Sequence, residues 1–454
     1  QTCALPIYLV QGMNPTPQVA VVGGGYAGFA AAVTLARGGA RVTLFESSRV
    51  LGGRARVVEK DGQRVDNGQH ILLGAYTETL RMLRLVGVKP SVLETRRLAL
   101  VYPGEACELR AAPLPAPLHL AFGLLRARGL GLADKLAMAR LMRHLKARRF
   151  RIEPDQPVAA LLADTAQTER LSRLIWEPLC VAALNTPVGE ASAQVFANVL
   201  RDSLAAGESA SHLLIPRVDL SELFPVPASR WLAMRGHTVR SCEPIKAITR
   251  DGDALLLDGD PRSNRYDHVV VATAPYHVGG LVGALPALAP VVERIDALRH
   301  EPILTAWLAF DGPLRFPEPM IGLAGGYGQW AFDRAALGGP EGLVGVVISA
   351  SGRHQQITRE ALEIALLEEL QHAVGPLPAL KWSQLITEKR ATFACTPGLA
   401  RPGNATPDPG LWLAGDYTAS AYPATLESAI QSGTTAGRSV LKACGLKEVG
   451  VLGV

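Results

Sequence analysis

Val19-Ala20-Val21-Val22-Gly23-Gly24-Gly25-Tyr26-Ala27-Gly28-Phe29-Ala30-Ala31-Ala32 is the stretch whose reading decides the fold. Four apolar residues leading into glycines have the pattern of a buried parallel strand, and the small residues that follow, through Leu35, predict a closely packed helix. Gly38-Gly39 ends that helix, and Arg41-Val42-Thr43-Leu44-Phe45-Glu46 reads as a second strand, which completes a βαβ unit. The turn is a G-x-G-x-x-G. Gly23 permits the tight bend, Gly25 lets the backbone approach a pyrophosphate, and Gly28 lets the helix close on the strand. Tyr26 and Ala27 open the helix, where free N–H groups and the positive end of the dipole favour phosphate. Glu46 ends the second strand, where a carboxylate accepts hydrogen bonds from ribose hydroxyls and repels a 2′-phosphate. A dinucleotide other than NADP is expected.

Working outward, Leu51-Gly52-Gly53-Arg54-Ala55-Arg56 follows within a few residues of Glu46. Near the other end, Leu411-Trp412-Leu413-Ala414-Gly415-Asp416 reads as a strand, and Tyr422-Pro423-Ala424-Thr425-Leu426-Glu427 opens a helix running through Gly433 and Gly437. Together with the glycine turn, these strings resemble the FAD-dependent amine-oxidase/phytoene-desaturase superfamily, over essentially Pro17 to Leu441. Three longer strings narrow the resemblance. Asp66-Asn67-Gly68-Gln69-His70-Ile71-Leu72-Leu73-Gly74-Ala75-Tyr76, the stretch from Trp176 to Pro187, and Tyr422 to Glu427 resemble the hydroxysqualene dehydroxylases, squalene-associated flavoproteins of bacterial hopanoid biosynthesis.

The resemblance implies an FAD cofactor, with Gly53 against the pyrophosphate, Arg54 facing its charge, and Asp416 after Gly415 holding the ribityl chain. Ala424, Thr425 and Leu426 would face the polar edge of the flavin, and Val239, in the expected strand Thr238-Val239-Arg240, is assigned to the cofactor side. The implied fold is α/β: a Rossmann-like FAD-binding domain interleaved with a mixed α+β substrate domain that contains a helical subdomain. Residues 13–96, 216–285 and 400–445 are expected to form the FAD-binding pieces, and 97–215 and 286–399 the substrate domain. Residues 1–12 read as a non-native leader, with Met13 the expected start.

The implied reaction is reductive removal of the hydroxyl of hydroxysqualene to give squalene, by hydride transfer from reduced flavin to an allylic cation. It requires a proton donor to the leaving hydroxyl and a dry tunnel for a polyprenyl chain. His70, Tyr422 and Asn185 are the candidate catalytic residues, with Tyr327 behind them, and the sequence names no reductant. A carotenoid or polyprenyl desaturase would use the same flavin and tunnel. A flavin amine oxidase fits less well, because its aromatic cage contrasts with 6% aromatic residues here, and the nucleotide motif argues against a flavin-free lipid escort of the same fold.

Bulk composition agrees. Over 454 residues the chain is 48% hydrophobic and 19% charged, ordinary for a globular enzyme. Six cysteines without a Cys-x-x-Cys pair predict neither a disulfide framework nor a metal site, and a reducing cytoplasm is expected. A net charge of +5 without a nucleic-acid-binding module excludes DNA and RNA as expected partners. The excess is local: nine Lys and Arg between Arg126 and Arg151 accompany Asp134 alone. With Leu136, Met138, Leu141, Met142, Leu145 and Phe150 on the same segment, peripheral association with the inner face of the cytoplasmic membrane is expected.

Overall fold

The computed structural model describes residues 16–60 and 62–448, so the expectation about residues 1–12 lies outside the described residues. Strand β1 (Gln18–Val22), helix α1 (Tyr26–Arg37) and strand β2 (Arg41–Glu46) form where the glycine-turn pattern puts them. Helix α2 (Thr77–Leu85) follows. A helical stretch carries α3 (Leu118–Arg126), α4 (Leu132–Ala147), α5 (Glu177–Leu184) and α6 (Ala193–Leu200). The chain then returns to strands β3 (Thr238–Ser241) and β4 (His268–Val271). Strands β5 (His300–Phe310), β6 (Met320–Gly322), β7 (Trp330–Asp333) and β8 (Leu343–Ser349), helix α7 (Arg359–Val374) and strand β9 (Leu380–Phe393) make the next layer. Strand β10 (Leu411–Leu413) and helix α8 (Leu426–Ala443) close the fold.

Two sheets organise these elements. The first is parallel, in the order β3-β2-β1-β4-β10, and so draws strands from three separated stretches of chain. The second is antiparallel, in the order β6-β7-β8-β5-β9. The two ends of the chain meet where α1 packs on α8. Small residues set that distance: a Cβ on Gly433 would stand 2.0 Å from the Ala27 carbonyl oxygen, and one on Gly28 would stand 1.9 Å from that of Gly23. Glycine is therefore required where helix meets helix and where helix meets strand.

Two expectations need correction. The basic segment between Arg126 and Arg151 is not one continuous helix: it joins two, broken between Ala127 and Gly131. The expected membrane-dipping residues Met138, Leu141, Leu145 and Phe150 are buried in the protein core, Met142 is half-buried, and of that set only Leu136 is exposed. The 3.6-residue period marks an apolar face but does not say which partner covers it. Strand β9, unforeseen in the sequence, carries charged Lys381, Glu388, Lys389 and Arg390 and takes its conformation from pairing along β5. No helix among the described residues is long and apolar enough to cross a membrane.

Candidate active site

A continuous cavity of about 1270 Å³ runs from the glycine turn into the space between the two sheets. It exceeds the ~300–1,000 Å³ of ordinary ligand pockets, so it has room for a cofactor and a substrate together. Its chemistry changes along its length. One arm is polar, built from Gly23 to Ala27, Glu46, Gly53, Arg54 and Asp416. The other is apolar, between Leu179, Phe196 and Leu200 of the helices and one face of the second sheet. Sheet register makes that face: Trp330 lies opposite Val347, and Ile303 lies opposite both Ser349 and Glu388, so alternate residues of four strands point the same way.

The polar arm is shaped for a dinucleotide. Gly23 has φ +120°, and a Cβ there would lie 2.5 Å from the Ala272 carbonyl oxygen, so no other residue fits. Helix α1 starts at Gly25 without a side-chain cap, which leaves its opening amides for an anion. A Cβ on Gly25 would meet nothing closer than the Gly53 backbone at 3.8 Å; the space is a cradle between two glycine segments. Glu46 stands beside it, its carboxylate accepting from the Gly24 and Ser48 amides at 2.7 Å each. Arg54 donates to the Ala391 carbonyl oxygen at 2.6 Å and to Asp416 Oδ1 at 2.5 Å, which ties the first segment to the last. Thr273 Oγ1, on the cavity wall, is buried without a protein partner, as a group that serves a bound ligand would be. These residues fit FAD.

Gly23, Gly25, Tyr26, Ala27, Glu46, Gly53, Arg54, Gly415, Asp416, Ala424, Thr425 and Leu426 all line the cavity, as do His70, Asn185 and Tyr422. Gly28 is not on the lining and serves helix–strand packing, while Tyr26 turns its hydroxyl away to donate to the Leu220 carbonyl oxygen at 2.8 Å. Val239 is a correction. It pairs with Leu44 in an edge strand and packs on the core behind the sheet, and Ile245 and Lys246 line the cavity beyond that strand instead. Tyr327 is also off the cavity; its amide donates to Glu369 Oε1 at 2.7 Å. Sequence reasoning missed Asp202, Glu388 and the apolar wall, because single carboxylates and Leu or Phe residues carry no local signal.

The candidate acids differ in what they have left to give. Asn185, in left-handed backbone conformation at the end of α5, spends both amide ends: Nδ2 donates to Thr392 Oγ1 at 2.9 Å and Oδ1 accepts from the Ala350 amide at 2.6 Å. It is a structural junction, and its tolerance of positive φ explains the residue type. His70 Nδ1 lies 2.9 Å from the Gly68 carbonyl oxygen, which can only accept, so Nδ1 carries the proton. Burial lowers the pKa of His70, and a neutral ring with this tautomer presents a lone pair at Nε2. Tyr422 donates its hydroxyl to Asp202 Oδ2 at 2.6 Å, and Arg201 donates to both oxygens of that carboxylate at 2.7 Å.

Asp66 is buried, and desolvation raises its carboxyl to about 7, with Asp219 adding in the same direction and the Leu220 amide opposing. An unfolded aspartate titrates near ~3.9. Between those values the folded chain holds the extra proton, so stability falls as pH rises from about 4 to about 7. Asp66→Asn is expected to flatten this slope. Melting curves of the two proteins should coincide near the acid end and diverge in favour of the variant above neutrality.

The flavin containing amine oxidoreductase family matches residues 26–441 of the chain. The hydroxysqualene dehydroxylase of Rhodopseudomonas palustris is 31% identical over 440 residues, covering 94% of this chain and 98% of that protein. The zeta-carotene desaturase of Synechocystis is 24% identical, over 93% of this chain and 97% of its own length. Among solved structures, cyclohexylamine oxidase from Brevibacterium oxydans superposes with a TM-score of 0.66 at 18% identity, over 95% of this chain and all of that one. With the family match running from the first residue of α1 into the closing helix, the chain belongs to the flavin containing amine oxidoreductase family, in company with the hydroxysqualene dehydroxylases, and is an FAD-dependent oxidoreductase.

Proposed function

We propose that the chain reductively removes the hydroxyl group of hydroxysqualene to yield squalene. The observation that carries this reading is the union, in one cavity, of a dinucleotide cradle with an arm walled by Leu98, Leu100, Phe196, Leu200, Trp330 and Phe332. Similarity to proteins named hydroxysqualene dehydroxylase over nearly the full chain supports it. Reduced FAD, when bound, supplies a hydride to the carbon that loses the hydroxyl. The apolar wall excludes water, which would otherwise capture an allylic cation. Asp202, held by Arg201, offers that cation a nearby negative charge. Of the three sequence candidates, Tyr422 is the proton source this reading favours, because it alone brings an O–H to the cavity, held on Asp202 Oδ2, whereas the Asn185 amide is not an acid and neutral His70 donates its Nδ1 proton to the Gly68 carbonyl oxygen.

Tyr422→Phe is expected to bind FAD normally and to lose on the order of 10²-fold or more in turnover, the scale of one general-acid contribution. The assay is anaerobic: reduced enzyme is given hydroxysqualene, squalene and a carotenoid precursor in parallel. Squalene formed from the first alone supports the reading. Consumption of the carotenoid precursor by the oxidised enzyme would replace it with a desaturase, the activity named for the Synechocystis relative.

A further inference from the structure

We propose that α3 and the first turns of α4 form a docking surface for a lipid bilayer with anionic headgroups, an inference that rests on the lipid-substrate reading for its purpose. Leu118, Phe122 and Leu125 of α3 are 55%, 40% and 69% exposed, and Leu132 and Leu136 of α4 are 74% and 61% exposed. These are five of the seven large hydrophobic residues exposed among the described residues. Their spacing puts each set on one helix face, and the other faces pack inward: His119 and Gly123 of α3, and Ala137, Leu141 and Leu145 of α4, are buried in the protein. The outward apolar face has no partner within the chain, and folding alone does not account for it.

Charge selects the occupant. Arg126, Arg128, Arg140, Arg143, Lys146, Arg148 and Arg149 are exposed along the same two helices and their flanks. The one acid among them, Asp134, is buried and accepts from the Gly131 amide at 2.8 Å and from Thr168 Oγ1 at 2.6 Å. The Arg126 guanidinium lies 4.6 Å from the centre of the Phe122 ring, so cation and apolar surface stand side by side. That combination suits the boundary between headgroups and acyl chains. A second copy of the chain docked by two-fold symmetry would set this basic patch against itself.

The surface also adjoins a route inward. A side pocket of about 460 Å³, bounded by Arg97, Leu98, Arg110, Ala111 and His212, shares Leu98 with the apolar arm of the main cavity. Helix α3 sits on the same segment: the Ala112 amide donates to the His119 carbonyl oxygen at 2.9 Å, and a Cβ on Gly123 would lie 2.3 Å from the Arg110 carbonyl oxygen. A chain leaving the bilayer beside α3 would meet Leu98 next.

The test is flotation of the FAD-loaded enzyme with vesicles of phosphatidylcholine, alone or mixed with equal parts of phosphatidylglycerol. The enzyme is expected to float with the mixed vesicles and to be released by high salt. Leu125→Ser, Leu132→Ser and Leu136→Ser combined should weaken binding about tenfold or more, with flavin spectrum and melting temperature unchanged because all three side chains are exposed. Arg126→Gln with Arg128→Gln should weaken binding to mixed vesicles about fivefold per cation removed and lessen its salt dependence. The proposal is overturned if the enzyme stays in the buffer, if the triple variant floats as well as the parent, or if the parent instead forms a dimer that the triple variant dissociates. Flotation needs no turnover. Binding without conversion of hydroxysqualene would therefore sink the functional reading and leave the surface standing, and conversion without binding would do the reverse.

Discussion

Asp416→Ala is expected to give a colourless protein. Asp416 is buried on the cavity wall and its Oδ1 takes the Arg54 guanidinium at 2.5 Å, across 362 residues of sequence. Removing the carboxylate takes away the acceptor expected to hold the cofactor chain and leaves the half-buried cation with the Ala391 carbonyl as its remaining hydrogen-bond partner. Breaking such a pair from one side costs about 3–5 kcal/mol, more than a conservative replacement does, since a charge is then left in a poorly solvated place. Asp416→Asn keeps an acceptor for Arg54 and should hold part of the flavin. Visible flavin absorbance per protein and chemical denaturation read the two effects separately. A fully loaded Asp416→Ala protein would show that the cradle does not depend on this residue.

Glu427→Ala should be the most destabilising single change outside the parallel sheet. Glu427 is buried in the first turn of α8, yet its carboxylate serves another helix: it accepts from the Glu78 amide at 3.0 Å, the Thr79 amide at 2.8 Å and Thr79 Oγ1 at 2.6 Å. Those two amides belong to the first turn of α2, which has no side-chain cap of its own. A carboxylate supplied across nearly 350 residues is thus the helix cap, favoured by the dipole and by the lack of water to replace it. Truncation strands buried donors at once, for a loss of about 3 kcal/mol or more; glutamine, with one acceptor oxygen, should lose roughly half as much. Urea unfolding of the three proteins tests the order. Equal midpoints for parent and alanine variant would refute the capping role. The contact ties the end of the Tyr422–Glu427 string to the helix that begins just after Tyr76.

The nucleotide cradle was legible because its constraints are local. Gly23 must adopt a backbone conformation that other residues avoid, Gly28 must admit a helix against a strand, and Glu46 must end the next strand, all within one βαβ unit. Val239 was misplaced for the complementary reason. A strand pattern tells which residues are extended but not which end of the strand meets the cofactor, and the chain reaches the cavity a few residues later, at Glu243. The basic segment was recognised as unusual, but periodicity assigned its buried face to the membrane, and only packing shows that Leu118, Phe122, Leu125, Leu132 and Leu136 are the residues left outside.

By itself, then, the sequence determined a parallel-sheet FAD domain assembled from both ends of the chain, because glycine geometry and apolar runs act over a few residues. Only the tertiary structure decided the substrate side. Tyr422 meets Asp202 across 220 residues, and Trp330, Val347 and Ile303 face the cavity through strand register, in which a slip of one residue would turn every side chain to the other face. Such contacts arise from how distant segments pair, and no short stretch of sequence carries that information.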